Sequence, residues 1–145
     1  MTTQRIRPLV ICVFSHRGRI LVNESQDAAS GQGFCRPLGG GIEFGETSAQ
    51  ALVREIREEV NAEITNLRLI GTLENIFTYR GLPEHEIVQV YDAEFLNQSL
   101  YSLAAIPGCE SDGQSFQAVW RTLESISPEV PLVPKGLLQL LTSKA

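Results

Sequence analysis

The stretch Gly40–Ala62 reads GGIEFGETSAQALVREIREEVNA. Thr47-Ser48-Ala49-Gln50 has the pattern of a capping box, in which the first and fourth residues satisfy each other's backbone N–H groups. Behind it, Ala49, Leu52, Val53, Ile56 and Val60 recur at helical spacing, which predicts one helix from Thr47 to about Val60. With Leu52 set at zero and about 100° per residue, these five fall in an arc of roughly 0 to 100°, the core face. Glu58, Glu55 and Glu59 fall at roughly 240, 300 and 340°, a stripe that borders the core face.

Three carboxylates on one flank of one helix repel each other, at a few tenths of a kcal/mol per exposed pair (~0.2–0.5) and more near a buried edge. Selection for stability alone disfavours this. A hard divalent cation, by contrast, requires several carboxylate oxygens around one point, and Mg²⁺ completes its shell with water and substrate phosphate. Glu55, Glu58 and Glu59 are therefore a candidate magnesium site, with Mn²⁺ as an alternative ion. Arg54 stands one turn before Glu58, placed to aim that carboxylate rather than to react. Gly39, Gly40 and Gly41 remove side chains from the loop beside the helix, so that backbone groups can approach metal or phosphate. Glu46 precedes the helix by one residue, where a carboxylate favours the N-terminal dipole; its first role is structural.

Outward from this segment, Pro8–Phe14 and Arg19–Asn23 are β-prone runs around Ser15-His16-Arg17-Gly18, read as a hairpin. Asp27–Gly33 is small and polar, a loop. Leu67–Tyr79 and Glu86–Phe95 read as antiparallel strands around Arg80-Gly81-Leu82-Pro83, and Phe116–Leu123 as a last strand. Pro134 opens a C-terminal helix through Leu137, Leu138, Leu140 and Leu141. The pattern predicts a mixed α and β architecture with two helices and a largely mixed or antiparallel sheet.

At 145 residues, 43% hydrophobic and 20% charged, the chain is the size of one domain with one core, residues 1–145. The run Pro8–Phe14 is far below the ~20 residues of a membrane span. Arg5 and Arg7 ahead of it imitate a signal peptide, but the run is short and lacks a small-residue cleavage site, so it reads as a strand. Cys12, Cys35 and Cys109 are scattered, without the pairing of a zinc site, which suits a reduced, cytoplasmic setting. A net charge of -5 has the wrong sign for stable nucleic-acid binding. For an anionic substrate, positive charge must come from elsewhere, and a metal on the carboxylate flank would supply it.

The fixed points Gly40, Glu46, Arg54, Glu55, Ile56, Glu58 and Glu59, with gaps of five and then seven residues, resemble the Nudix box. The family pattern is matched at every position except its final glycine, here Asn61. Such a match arises by chance in on the order of one chain in a million. Asparagine is the next most tolerant residue after glycine where a left-handed residue ends a helix, so the carboxylates should keep their places. The resemblance implies an α/β fold, an α/β/α sandwich with a central mixed β-sheet. It further implies Mg²⁺-dependent cleavage of a phosphoanhydride in a nucleoside diphosphate linked to a moiety X, on a nucleotide or nucleotide-derived small molecule.

Glu55 is the first choice for general base and Glu86 the second, because the base should sit near the metal without spending both oxygens on it. The resemblance also admits Glu86 as an extra metal ligand, and an edge glutamate beside a turn is an equal reading of it. Arg36 and Arg19 are candidates for substrate phosphate, or simply solvated. Tyr79 lies roughly where dinucleoside polyphosphate hydrolases of the family carry a tyrosine, which could stack on a base. His16 and His85 read as surface residues and Trp120 as core. No proline follows the box at the spacing of ADP-ribose hydrolases, and the NADH-type signature is absent. A catalytically silent nucleotide sensor is the competing class, opposed by the intact glutamates. Oligomeric state is not legible.

Overall fold

The computed structural model describes residues 4–143. The strands are β1 (Ile6–Cys12), β2 (Ser15–His16), β3 (Arg19–Gln26), β4 (Gly33–Arg36), β5 (Leu38–Gly41), β6 (Ile64–Tyr79), β7 (Leu82–Phe95), β8 (Ala105–Cys109) and β9 (Ser115–Thr122); the helices are α1 (Ser48–Val60) and α2 (Leu137–Ser143). They form two sheets among the described residues. One is mixed, in the order β5-β1-β7-β6; the other is antiparallel, in the order β2-β3-β9-β8, with β4 also on β3.

The alternation along β1 explains this layering. Val10, Cys12 and Phe14 pack with Leu52, Ile56 and Phe95 on the α1 side, while Ile11 and Val13 pack with Val88, Val90 and Leu137 on the α2 side. A strand buried on both faces needs a continuous apolar run, which is what Pro8–Phe14 supplies. Helices therefore lie on both sides of sheet, as the α/β/α reading expects.

The first hairpin is a correction. The front of the Pro8–Phe14 run does not return along Arg19–Asn23; β1 runs antiparallel to β5 and parallel to β7. Only the end of the run does: the Phe14 carbonyl accepts the Leu21 N–H at 3.1 Å, and Ser15 and His16 pair with Ile20 and Arg19. Arg17 and Gly18 do turn, at φ of 52° and 77°. The turn chemistry was real, but an apolar strand with two faces to bury goes to the centre of a sheet. A second correction is the sheet count: two sheets take the place of one. The glycine-rich stretch contributes β4 and β5, and β8, broken by Pro107 and Gly108, has no legible strand pattern. The helix opening at Pro134 begins at Leu137, whose N–H is bonded to the Pro134 carbonyl.

Helix α1 matches its sequence signals. Thr47 caps it with the full reciprocal box to Gln50, and Asn61 ends it at φ 54° and ψ 44°. Asn61→Ala should therefore cost about 1 kcal/mol, because a Cβ without a side-chain amide is disfavoured in the left-handed region, whereas Asn61→Gly should cost less. Chemical denaturation of both variants checks this.

Candidate active site

Strand β5 lies beside α1, and each of its three glycines engages the helix. The Gly39 N–H donates to Glu59 Oε1 at 3.0 Å. A side chain on Gly40 would sit 2.5 Å from Glu55 Oε2 and 2.6 Å from Oε1, so its absence is the space that the Glu55 carboxylate occupies. The Gly41 carbonyl accepts Arg54 Nη2 at 2.9 Å. Glycine spacing and carboxylate spacing are thus one device: the loop is bare because the acids need the room.

Arg54 is fixed chiefly by Glu46, which accepts its Nε at 2.7 Å and its Nη2 at 2.9 Å. This bidentate pair, together with the Glu43 N–H, holds the Glu46 carboxyl down to about 2. The structural role read for Glu46 takes the form of orienting Arg54. From that anchored position Arg54 Nη1 reaches Glu55 Oε1 at 3.1 Å and Glu58 Oε2 at 3.3 Å.

The three predicted metal carboxylates are unequally placed. Glu59 is buried at 9% exposure. Burial first, then the negative charges of Glu110 and Glu55, push its carboxyl up to about 8, against the Gly39 N–H and Arg36, which favour the ionised form. Glu55 is half-buried and also raised, mainly by desolvation. Glu58 is exposed, with 56% of its side chain accessible, and meets Arg54. Among the described residues no three His, Cys, Asp or Glu side chains converge in metal-ligand geometry; Arg54 is the cation that Glu55 and Glu58 approach. The donors are nonetheless hard carboxylate oxygens, two of them raised by burial or by each other, which is the chemistry that suits a hard divalent ion.

Glu55 and Glu59 open onto a cleft of about 580 Å³. Gly39, Gly40, Gly41, Arg36, Tyr79 and Glu86 line it too. Tyr79 meets Phe34 edge-on, with ring centroids 6.1 Å apart, and Arg80 lies over its ring at 5.1 Å. Glu86 is buried and ion-paired to Arg7; its strand β7 lies inside the mixed sheet, so the edge-glutamate reading is corrected. Arg19 pairs with Thr122 in the antiparallel sheet. His85 is half-buried, and His16 lies against Tyr101, the rings tilted by 40° with centroids 4.9 Å apart, so both sit at the surface but neither is fully exposed. Trp120 packs partly buried against the α1-side core.

Sequence reasoning missed several cleft residues, Glu110 and Asp27 among them. Glu110, at the end of the β8–β9 turn, bonds Asn23 at 3.2 Å and lies close enough to Glu59 to raise it. Asp27 is buried in the loop read only as polar; it accepts the N–H groups of Ala29 and Arg80 and so ties that loop to the β6–β7 turn. An acid followed two residues on by a small residue is an Asx-turn signal, which could have identified Asp27. No local signal exists for Glu110.

The Glu59 shift has a consequence for stability. A carboxylate raised from 4.5 to about 8 keeps its proton in the folded state while the unfolded state loses it, so metal-free stability falls as pH rises through that window. A divalent metal held by Glu59 would have to displace that proton, so the rise in melting temperature on adding Mg²⁺ should be greater at pH 9 than at pH 6. Glu59→Gln should remove both effects; thermal melts with Mg²⁺ and with a chelator measure them.

A family model of the NUDIX domain matches residues 3–141. The chain is 27% identical over 124 residues to the NAD-capped RNA hydrolase NudC of Pseudomonas aeruginosa, covering 86% of this chain and 39% of that protein. It is 37% identical over 68 residues to NudC of Pseudomonas putida, covering 47% of this chain and 24% of that one. It therefore spans well under half the length of the curated relatives it matches. Its fold resembles the solution structure of the E. coli ORF135 protein, with a TM-score of 0.67, 22% identity, and 97% and 91% of the two chains covered. It also resembles the crystal structure of MutT NUDIX hydrolase from Burkholderia pseudomallei, with a TM-score of 0.69, 21% identity, and 98% and 100% covered. With the family model matching nearly the whole chain, this chain belongs to the Nudix hydrolase family.

Proposed function

We propose that residues 1–145 act as a single domain that hydrolyses a phosphoanhydride bond in a nucleoside diphosphate joined to a moiety X, with Mg²⁺, or Mn²⁺ in its place. Nucleoside triphosphates, dinucleoside polyphosphates and nucleotide sugars are the substrate classes. The observation that carries the reading is Glu59, a buried carboxylate pushed up to about 8 beside two other acids at the head of a cleft of about 580 Å³. A stable protein tolerates such a group where an ionic partner offsets it.

Glu59 and Glu55 would hold the metal, with Glu58 at the rim; when bound, it offsets charge on phosphoryl oxygens and orients the diphosphate. The remaining work falls to the chain's own groups. Glu46 keeps Arg54 in place, and Arg54 orients Glu55 and Glu58 by hydrogen bonds to both. Glu55, half-buried and raised, is suited to take a proton from the attacking water, and it does not share both oxygens with other donors. Arg36 adds positive charge beside Glu59 for substrate phosphate. Phe34 and Tyr79 form an aromatic wall on which a base can rest. The relatives named for NAD-capped RNA share the bond type; a net charge of -5 favours small nucleotides over stable RNA binding here. The same charge and the unpaired cysteines fit a cytoplasmic protein.

A panel of nucleoside triphosphates, dinucleoside polyphosphates and nucleotide sugars, assayed with Mg²⁺ and then Mn²⁺, tests the reading. Hydrolysis in ¹⁸O water should label one product only, the mark of attack at a single phosphorus. Nucleotide binding with no product over hours would sink the hydrolase and leave a sensor.

A further inference from the structure

The cleft floor is the face of the mixed sheet bearing Arg7, Leu9 and Ile11 of β1. Leu9 lies level with Gly41 on one side and Val88 on the other. Two residues along, about 7 Å by strand rise, Arg7 lies level with Glu86, and Glu86 with Asn75. These three make a polar row across three neighbouring strands. Glu86 is 8% exposed. Its Oε2 accepts the Arg7 guanidinium, while Oε1 has only a long 3.4 Å contact with Asn75 Nδ2. An ionised carboxylate has about four acceptor sites, so Glu86 is under-satisfied for so buried a group. Arg7 Nε is also buried without a partner, and Glu84 lies 3.8 Å from the same guanidinium. The row thus sets two negative charges against one positive.

We propose that Glu86, held by Arg7 and Asn75, determines specificity: it accepts a hydrogen bond from an uncharged N–H or O–H on the nucleoside end of the substrate. Glu84 and Glu86 together turn away a phosphorylated group there. This rests on the reading of the cleft as a nucleotide site. Glu55 packs on Gly40 and Glu59 bonds Gly39, level with Val10 and Ile11, three and four residues from Arg7. The roughly 10–13 Å of strand rise between these acids and the row leaves room for a sugar-phosphate unit, so the diphosphate lies at Glu55 and Glu59 while the base or ribose reaches Glu86. A buried acceptor discriminates sharply, because a substrate without the matching donor leaves it unpaired. In this assignment Glu86 is a binding residue and Glu55 the base.

The test compares wild type, Glu86→Gln, Glu86→Asp and Asn75→Ala on the four ribonucleoside and four deoxyribonucleoside triphosphates with Mg²⁺. Glu86→Gln should raise KM for the preferred nucleotide about ten- to a hundredfold, with a smaller change in kcat, and flatten the preference; Glu86→Asp should restore part of it. The deoxy arm separates the two sources of the donor: a ribose hydroxyl if wild type already loses the preference there, a base N–H if it does not. A fall confined to kcat, equal for all substrates and with one limb of the pH profile lost, overturns the proposal, since Glu86 would then act on the reacting atoms. Unchanged KM and preference overturn it too. If wild type turns over none of the eight, nucleoside triphosphates are excluded as its substrates while the wider hydrolase reading still awaits the full panel, and calorimetry with the four ribonucleoside and four deoxyribonucleoside monophosphates decides this proposal. Affinities that differ among the bases, or between ribo and deoxy forms, and that Glu86→Gln erases support it; affinities equal across all eight in wild type reject it.

Discussion

Glu59→Gln is expected to lower Mg²⁺-dependent turnover by at least ~10²-fold while the domain stays folded. The amide is nearly isosteric, and its oxygen can still accept the Gly39 N–H, so the local geometry is kept. What is lost is the charge, at the one box carboxylate that is buried on the cleft side. Removing that charge also removes the desolvation cost, so Glu59→Gln should be more stable than wild type without metal at pH 8 and above. Loss of activity with a gain in stability separates a functional acid from a structural one. Glu58→Gln, at an exposed residue bonded to Arg54, should show a smaller loss, nearer ~10-fold. Turnover of purified variants against Mg²⁺ concentration measures both, and a near-wild-type Glu59→Gln would remove the basis of the proposed mechanism.

The second large effect is on the fold. Gly39→Ala should destabilise the domain by more than ~3 kcal/mol, a fall in melting temperature of about 10 °C or more, or prevent soluble expression. Gly39 has a φ of 150°, and a Cβ there would overlap the Val10 carbonyl and lie 2.7 Å from Ile11 Cα. Those are backbone atoms of the central strand β1, which cannot swing aside as a side chain can. Gly45→Ala is the control: its φ is 90°, but a Cβ would meet nothing within 4 Å, so only the conformational cost of about 1 kcal/mol remains. Gly40→Ala falls between, because the obstacle is the flexible end of Glu55; the domain should fold, with Glu55 displaced and turnover reduced.

The helix, its cap and its end were legible because each depends on residues within about four positions of one another. Thr47 finds Gln50, Asn61 finds Arg57, and the acid stripe follows from helical period alone. The β6–β7 hairpin was legible for the same reason, its turn at Arg80 and Gly81 joining strands adjacent in sequence. The first hairpin was misread because a local turn signal was extended to a run whose partners, β5 and β7, are set by burial of both its faces.

By itself the sequence determined the family pattern, the α1 register and the place of three glutamates on one flank, all of them consequences of short-range spacing. Only the tertiary structure decided which of those glutamates is buried, that Glu46 anchors Arg54, that Glu110 stands by Glu59, and that Arg7 meets Glu86 across 79 residues. The physical reason is that burial and charge proximity are properties of sheets packed against a helix. Strand pairing brings together residues whose separation along the chain leaves no periodicity to read.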